Sequence, residues 1–402
     1  MLSQISEITR TLKQAATQAG FDLVGIAPVR DFAELEYFPQ WIAAGHAGDM
    51  HYMEARDEHG ELKRASLRNT VPWARSVVVC AINYNTAQPY STDMQDSGRA
   101  WISRYAWSVR DYHDAVLEKL HEVENSLREF FADLSAFVAH SRQQSRASLS
   151  VDGRGVRPHA GSADLITRCY VDTGPLVERV YAKYAGVGWI GKNTCILNQK
   201  LGSWLFVGVI LTSLELEPDF PAPDRCGTCT RCIDACPTNA LIAPYQLDSN
   251  RCISYLTIEK RSAIPEEMRV GMGRHVFGCD ICQDVCPWNR KAPVTTTAEF
   301  QPRPELVNPA LDWLAEMSAE EFRQTFSGSP VRRTKLAGLR RNAVIAIGNS
   351  GDRKFLPVLE KIAKDEDPVL AETAQWARAK LQGGRESTSR ICTSQTRQEG
   401  NS

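Results

Sequence analysis

Cysteine spacing constrains this chain more than any other feature, since eight of its twelve cysteines lie between Cys226 and Cys286. The first block, CGTCTRCIDACP, has the spacing C-x2-C-x2-C-x3-C-P over residues 226–237. Its short gaps let one loop supply three corners of a cube, while the fourth cysteine points away toward a second cluster. Thiolates are also the soft anionic ligands that iron and sulfide prefer. The spacing therefore predicts cubane iron–sulfur clusters.

The second block, CDICQDVCP, contributes only three cysteines and ends in the same Cys-Pro pair. Two cubane clusters need about eight ligands, and Cys252, which lies between the blocks, completes that number. In two-cluster segments of this type, the last cysteine of a block binds the other cluster. We therefore predict that the first cluster is held by Cys226, Cys229, Cys232 and Cys286, and the second by Cys236, Cys252, Cys279 and Cys282.

Structural zinc is the main alternative to iron–sulfur clusters. Zinc sites usually combine two CxxC pairs and lack both the third x2 spacing and the Cys-Pro ends. A disulfide scaffold is disfavoured, because such scaffolds are short secreted chains. Cys80 is expected to be a small core residue, and no role is assigned to Cys169, Cys195 and Cys392.

Size and charge set broad limits on the protein. Its 402 residues suffice for two or three domains. The 47 basic and 48 acidic residues exclude a protein that is basic all over, although a basic patch still fits. The longest strongly apolar run, Trp204–Leu211, is far short of the roughly 18 residues of a membrane span. The first residues also lack the apolar stretch of a signal peptide. We expect a soluble, cytoplasmic protein with no membrane partner.

Up to about residue 220, predicted strands and helices alternate, which indicates an α/β or α+β domain. The predicted helices cover residues 3–19, 112–131 and 175–186, and the predicted strands cover 22–27, 76–82, 134–139, 165–172 and 203–213. Residues 140–162, which include four arginines, break the pattern. They are interpreted as a mobile basic loop, which is either a solvated linker or a contact for a polyanion.

The C-terminal part is predicted to be helical. The segments RNAVIAIG (341–348) and ETAQWARA (372–379) align at an offset of 31 residues, and a third helix is predicted over 355–363. This pattern resembles one and a half HEAT-like repeats. Because about three repeats are needed to stand alone, the unit is expected to pack on the rest of the chain. The tail after Gly383 is nearly without apolar residues and is expected to be disordered.

Two short motifs resemble cofactor-binding sequences but lack a feature that each of them needs. AGVGWIGKN (185–193) contains a formal G-x-G-x-x-G and nearly matches a P-loop, but both need a preceding strand, and a helix is predicted there. A close backbone approach to a large ligand stays open at these glycines. Asp111-Tyr112-His113 resembles the start of a cobalamin-binding motif but lacks its following glycine. We expect Asp111 to cap a helix with His113 in its first turn.

Several ordered segments together carry a family resemblance. They are SRYAWSVRDYHD (103–114), YVDTGPLVERVYAKYAGVGWIGKN (170–193), GSWLFVG (202–208), RCISYLTIEKR (251–261), the two cysteine blocks and LRRNAVIAIGN (339–349). At these segments the chain closely resembles the epoxyqueuosine reductases. The resemblance covers roughly residues 1–382. The basic loop 140–162 is longer than usual in the family, and the tail after Gly383 departs from it.

The resemblance implies the reduction of epoxyqueuosine to queuosine at the wobble position of tRNA, the last step of queuosine biosynthesis. It also implies a multidomain α/β (α+β) fold, with a nitroreductase-like cobalamin domain, a two-cluster ferredoxin-like domain, a HEAT-like helical region and a disordered tail. We assign these to residues 1–222, 223–300, 301–382 and 383–402. Cobalamin is expected base-off, without a histidine on cobalt, and two 4Fe-4S clusters are expected to feed it with electrons from an external low-potential donor. The protein is expected to be a monomer.

The resemblance also assigns site residues. Asp172 matches the family's proton donor, and the alternative is an ordinary N-cap of a helix starting near Gly174. Contacts to the corrin are expected from Asp172 together with Ser103, Ile196, Val207 and Ser254, although an apolar residue is by default core. For Asp172 to act as a general acid, burial beneath the corrin and substrate would have to outweigh the helix dipole, which favours an anion.

The segment Phe322–Gly351 contains six basic residues and no acid. It is interpreted either as a tRNA contact or as a solvated basic face. Arg333 and Arg340 are seven apart and would share one face of a helix. The expected tRNA-binding residues are Arg332, Arg333, Lys335, Arg340 and Arg341.

Three other functions were compared with this one. An electron-transfer protein would not need the large N-terminal domain or the helical unit. A different cobalamin and iron–sulfur enzyme, such as a reductive dehalogenase, would be expected to carry a twin-arginine leader and needs no tRNA patch. A HEAT scaffold for a protein partner would leave the cysteines unexplained.

Overall fold

The computed structural model describes residues 2–94, 96–147 and 165–383, with the side chains of 2–4 and 133–147 excepted. The helices are α1 (Leu2–Gln18), α2 (Ala33–Ala43), α3 (Leu67–Thr70), α4 (Tyr112–Ala147), α5 (Glu178–Tyr184), α6 (Arg231–Asp234), α7 (Ile253–Ile258), α8 (Glu266–Arg269), α9 (Ile281–Asp284), α10 (Leu311–Glu316), α11 (Ala319–Thr325), α12 (Lys335–Ser350), α13 (Leu356–Ile362) and α14 (Pro368–Gly383). The strands are β1 (Leu23–Pro28), β2 (Ser76–Asn83), β3 (Trp101–Ile102), β4 (Thr167–Tyr170), β5 (Trp189–Ile190), β6 (Ile196–Leu197), β7 (Leu205–Thr212), β8 (Leu241–Ala243), β9 (Gln246–Leu247) and β10 (His275–Phe277).

An antiparallel four-stranded sheet, in the order β1-β2-β7-β4, organises the N-terminal part. Strand β2 is buried along its whole length because helices cover both faces of the sheet. Its side chains alternate between the two layers. Val78, Cys80 and Ile82 pack with α1 and α4, whereas Val77 and Val79 pack with α5. The arrangement is α+β, since every strand pair of this four-stranded sheet is antiparallel.

The long helix α4 corrects two predictions. Residues 134–139 were expected to form a strand, but they continue the helix to Ala147. A short apolar run fits either a buried strand or a helix, and here the preceding helical turns extend through it. Residues 140–147, expected to be loop, are helical too. The remainder of the predicted basic loop, 148–162, lies outside the described residues, as does the tail after Gly383.

The predicted helix preceding the glycines of 186–191 is present as α5, and the hairpin β5–β6 follows it. The dinucleotide and P-loop interpretations therefore lack their strand–turn–helix context. A Cβ at Gly188 would lie 2.4 Å from the carbonyl oxygen of Leu197, on β6. The close approach that a glycine permits here is thus to a neighbouring strand.

The C-terminal helices share one apolar core with the middle of the chain. Helix α12 packs on α14 and α10, with the small residues Ala343 and Ala377 in the same cluster. That cluster continues through Trp101 of β3 and Phe277 of β10. The expectation that the helical unit packs on the rest of the chain is confirmed. Among the described helices, none has the length and apolar character needed to cross a bilayer.

Candidate active site

Asp172 follows strand β4 with a left-handed backbone, φ 58°. Such a conformation is uncommon for a residue with a Cβ, and residues held in it cluster at functional sites. Helix α5 begins only at Glu178 and has Val177 as its N-cap, not at Pro175 as predicted. The alternative role of Asp172 as a helix N-cap is therefore wrong. Its carboxylate Oδ2 instead accepts a hydrogen bond from the hydroxyl of Tyr112.

Side chains at the start of α4 contact Asp172. The Asp111 carboxylate accepts a hydrogen bond from the backbone N–H of His113 at 3.0 Å, which confirms the predicted cap. It also lies 2.8 Å from His113 Nδ1, and His113 Nε2 lies 3.8 Å from Asp172 Oδ2. Burial, followed by the charge of Asp172, raises the pKa of Tyr112. Sequence analysis missed these partners, although the Asp111-Tyr112-His113 motif was the signal for them.

A cavity of about 560 Å³ opens in front of Asp172. Its wall contains all the residues expected to contact a corrin, namely Ser103, Asp172, Ile196, Val207 and Ser254. A cavity of this size is typical of ligand sites, and its wall mixes apolar residues with polar and charged ones. Within the described chain, no histidine belongs to the wall. The residues expected to contact a corrin share one cavity wall.

The cysteines separate into two groups in space. The wall of the same cavity includes Cys236, Cys252, Cys279 and Cys282. Burial, followed by the neighbouring Cys252, raises the pKa of Cys279. The other group packs near β5 and β6, where burial and then the nearby Cys226 and Cys232 raise the pKa of Cys286 to about 11. Cys195 belongs to the same wall as the cavity cysteines and interacts with Cys282, so the cavity group contains one cysteine beyond the four of the predicted second set. The two ligand sets stay a prediction.

Asp280 joins the cluster segment to the N-terminal part. It is buried between two of the cavity cysteines, and its carboxylate accepts hydrogen bonds from Trp101 Nε1 at 3.0 Å and from the backbone N–H of Arg104 at 2.8 Å. It also accepts one from the hydroxyl of Ser103. Ser103 therefore positions the cavity wall through Asp280 as well as lining it.

Two acids other than Asp172 lie near the cavity, and they differ in their hydrogen bonds. Asp280 is fully hydrogen-bonded, whereas Glu178, at the start of α5, lines the cavity with no hydrogen-bond partner for its buried Oε1 in the described chain. Burial, and then the charge of Asp172, raises the pKa of Glu178 to about 7. Sequence analysis did not single out Glu178, since its exposure depends on where the helix begins.

The predicted tRNA-binding segment is only partly available to a ligand. Arg332, Arg333 and Lys335 are exposed, around a 3-10 turn and the start of α12. Lys335 has φ 59°, which interrupts the helix, so Arg333 and Arg340 do not share one helical face as predicted. Arg340 donates hydrogen bonds to the carbonyl oxygen of Ala315 and to the Asp365 carboxylate, both at 2.9 Å.

The prediction that Arg341 binds tRNA is wrong, because this side chain is buried. It is 2% exposed, and its guanidinium donates hydrogen bonds to backbone carbonyl oxygens. The acceptors are those of Leu256, Lys260 and Ser262. A side chain held in this way cannot reach a phosphate group, so its role is to join α12 to the segment after Cys252.

We expect Arg341→Met to lower the free energy of unfolding by about 2–4 kcal/mol, because it leaves buried carbonyl oxygens without a donor. Thermal denaturation of the anaerobic protein measures this change. Arg332→Met, at an exposed position, is the matched control and should change stability by less than about 0.5 kcal/mol. Equal effects of the two substitutions would contradict the structural role of Arg341.

An exposed tyrosine connects the basic segment to the cavity. Tyr52 is 46% exposed and belongs to the cavity wall. The guanidinium of Arg64 lies 5.9 Å from its ring centroid, and that of Arg333 lies 5.5 Å away. Arg333 is also paired with Glu259. The exposed part of the basic segment therefore reaches the cavity mouth.

Fold and site together define a class of protein, an iron–sulfur oxidoreductase whose α+β catalytic part shares its cavity with a two-cluster segment. Comparison with known proteins agrees. Residues 225–289 match the family model described as a 4Fe-4S double cluster binding domain, and residues 64–146 match the model described as epoxyqueuosine reductase QueG, DUF1730. An epoxyqueuosine reductase of Xanthomonas campestris is 36% identical over 372 residues, which cover 92% of this chain and 94% of the relative. The chain belongs to the epoxyqueuosine reductase family.

Two solved structures are similar over most of their length. One is an epoxyqueuosine reductase with an epoxyqueuosine-modified stem loop of tyrosine tRNA, which has a TM-score of 0.77 and 30% identity over 93% of this chain and 90% of that one. The other is the Bacillus subtilis epoxyqueuosine reductase, solved with its catalytic aspartate loop swung out of the active site, with a TM-score of 0.76, 30% identity and the same coverage. The recognised resemblance is confirmed.

Proposed function

We propose that this protein reduces epoxyqueuosine to queuosine at the wobble position of tRNA, the last step of queuosine biosynthesis. Membership of the epoxyqueuosine reductase family supports the activity, and the relative bound to a modified tRNA stem loop supports the substrate. One observation carries the proposal. Asp172 and the second group of cluster cysteines share the wall of a single cavity, so that proton and electron delivery converge there.

The 4Fe-4S segment supplies the electrons, and we propose two clusters with the ligand sets given above. Cobalamin is proposed as the second cofactor, and the residues that would hold it are Ser103, Asp172, Ile196, Val207 and Ser254. When bound, it supplies the low-potential nucleophilic centre that epoxide reduction needs. Asp172 delivers a proton to the epoxide oxygen, and Tyr112 and His113 hold its carboxyl in place. An external low-potential donor reloads the clusters, and the tRNA substrate places the reaction in the cytoplasm.

Domain roles follow from this assignment. Residues 1–222 form a nitroreductase-like cobalamin domain, 223–300 the ferredoxin-like domain and 301–382 the HEAT-like region. The exposed Arg332, Arg333 and Lys335 contact the tRNA backbone. The position of Arg333 beside Tyr52 at the cavity mouth supports this role.

The salt dependence of tRNA affinity tests the backbone contacts. We expect the double substitution Arg332→Gln, Lys335→Gln to weaken binding of the modified stem loop and to flatten the slope of log affinity against log salt by up to about 1.4–1.8, since each lost phosphate contact changes it by roughly 0.7–0.9. Fluorescence anisotropy at several salt concentrations measures both quantities. The control Arg10→Gln, Lys364→Gln removes the same charge elsewhere, and an identical slope in both variants would place the tRNA on another surface.

An electron-transfer protein is the second candidate, but it leaves the cavity and the strained Asp172 without a use. Anaerobic purification with added cobalamin, followed by assay of tRNA that carries epoxyqueuosine, separates the two. The reductase converts the epoxide to the cyclopentene-diol. Clusters that reduce a partner protein while the modified tRNA stays unchanged would contradict the proposed function.

A further inference from the structure

We propose that Glu178 is a second acid of the active site, which supplies the second of the two protons that epoxide reduction consumes. This inference rests on the proposed function and deepens it. It concerns a residue of the chain that neither the cysteine spacing nor the proton-donor motif identifies.

The reaction requires two protons at one atom. Both C–O bonds of the epoxide break and a C=C bond forms, so two electrons enter from the reduced clusters. The epoxide oxygen takes up two protons and leaves as water. A carboxylic acid carries one proton, so Asp172 completes only one of these transfers before it must be reloaded. A second acid in the same cavity would provide the other proton without waiting for solvent.

Glu178 has the position that this role needs. It lies six residues after Asp172, and both side chains belong to the wall of the cavity. Its Oε1 is buried and has no hydrogen-bond partner among the described residues, so an ionised carboxylate would be poorly compensated there. A carboxyl group with a buried, unpartnered oxygen favours its neutral, proton-carrying form, although the backbone N–H of Glu178 itself donates to this carboxyl group and favours the anion.

The charges around Glu178 act in both directions. Asp172 faces it with like charge and favours the neutral form, whereas Arg179 and Arg64 favour the ionised form. Both arginines are engaged elsewhere, since Arg179 donates to the carbonyl oxygen of Thr194 at 3.0 Å and Arg64 to that of Tyr52 at 2.9 Å. Position in the first turn of α5 would also favour an anion. Burial outweighs these opposing effects, because the pKa is raised to about 7 rather than lowered.

The substitution Glu178→Gln tests the inference, because the amide keeps the shape but carries no transferable proton. We expect iron content, cobalamin content and affinity for the modified stem loop to match the wild type, while kcat falls about 10²-fold. In the wild type, kcat should decline as pH rises through about 7, where Glu178 loses its proton. That decline should be absent in the variant. Glu178→Asp restores an acid and should recover both the pH dependence and most of the rate.

An infrared titration provides a readout that does not depend on turnover. As pH rises through about 7, the loss of carbonyl absorbance from protonated carboxylic acids should be smaller by one carboxyl group in Glu178→Gln than in the wild type. Asp284, whose pKa burial also raises to about 7, contributes equally to both spectra. Glu360→Gln, at an exposed position on α13, is the control and should keep the full loss of absorbance and the rate.

The outcomes separate this inference from the proposed function. A wild-type enzyme that turns over, with Glu178→Gln within threefold of its kcat and with the same pH dependence, would overturn the role of Glu178 alone. Failure of the fully loaded wild type to reduce the epoxide would overturn the function and this inference with it. A Glu178→Gln variant that fails to fold leaves Glu178→Asp to decide, and a fully loaded Glu178→Asp variant without the wild-type pH dependence near 7 contradicts the inference.

Discussion

Asp172→Asn should abolish most of the turnover of epoxyqueuosine-tRNA, with kcat lower by about 10²–10⁴-fold, while clusters and cobalamin remain bound. General acid catalysis contributes a factor of this size, and an amide cannot deliver a proton to the epoxide oxygen. The substitution is structurally mild, because asparagine tolerates the left-handed backbone of this position. Its side-chain carbonyl can still accept the hydrogen bond from Tyr112.

Single-turnover assays on protein with measured iron and cobalamin content provide the test of Asp172. Asp114→Asn, an exposed acid on the first turn of α4, is the matched control and should stay within about twofold of the wild type, as surface substitutions generally do. If Asp172→Asn stays within threefold of the wild type as well, the epoxide oxygen takes its proton from another group. The strained backbone of Asp172 would then have a purely structural cause.

Cys252→Ala is expected to remove one cluster and spare the other. Anaerobic wild-type protein should contain about eight irons per chain, and the variant about four, because a cubane cluster needs each of its four thiolates. Turnover should fall below detection, since the affected cluster is the one whose cysteines share the cavity wall with Asp172. Iron analysis and electron paramagnetic resonance of the reduced protein distinguish the two clusters.

Cys169→Ala provides the control for the cluster prediction. Cys169 lies on β4, outside both groups of cluster cysteines, and its thiol donates to the Glu124 carboxylate. This variant should retain about eight irons, the count for two cubane clusters. A wild-type protein with zinc and no iron would contradict the whole assignment, and loss of both clusters from Cys252→Ala would contradict their independence.

Local sequence determined several helices and strands, one helix cap and the candidate cluster ligands of this protein. The cysteine spacing predicted that Cys236, Cys252, Cys279 and Cys282 lie together, and all four belong to one cavity wall, which also holds Cys195. Spacing carries this information because cluster ligands are set by short loops whose geometry depends on few residues. Strands such as β2 and the first helix followed from their periodicity, and the cap at Asp111 followed from residue type. The segments that carry the family resemblance likewise needed no knowledge of tertiary contacts.

Other features depended on packing between distant segments. The start of α5 at Glu178 rather than Pro175 decided that Asp172 is not a cap, and it placed a second carboxyl in the cavity. Arg341 looked like a surface charge, yet its guanidinium is buried against carbonyl oxygens about 80 residues away along the chain, at Leu256 and Ser262. Residue type and spacing predict local geometry and metal ligands, because those depend on neighbours in sequence. Burial decides whether a charged group binds a ligand, joins two segments of the fold or acts as an acid. Burial itself depends on groups that only the folded chain brings together.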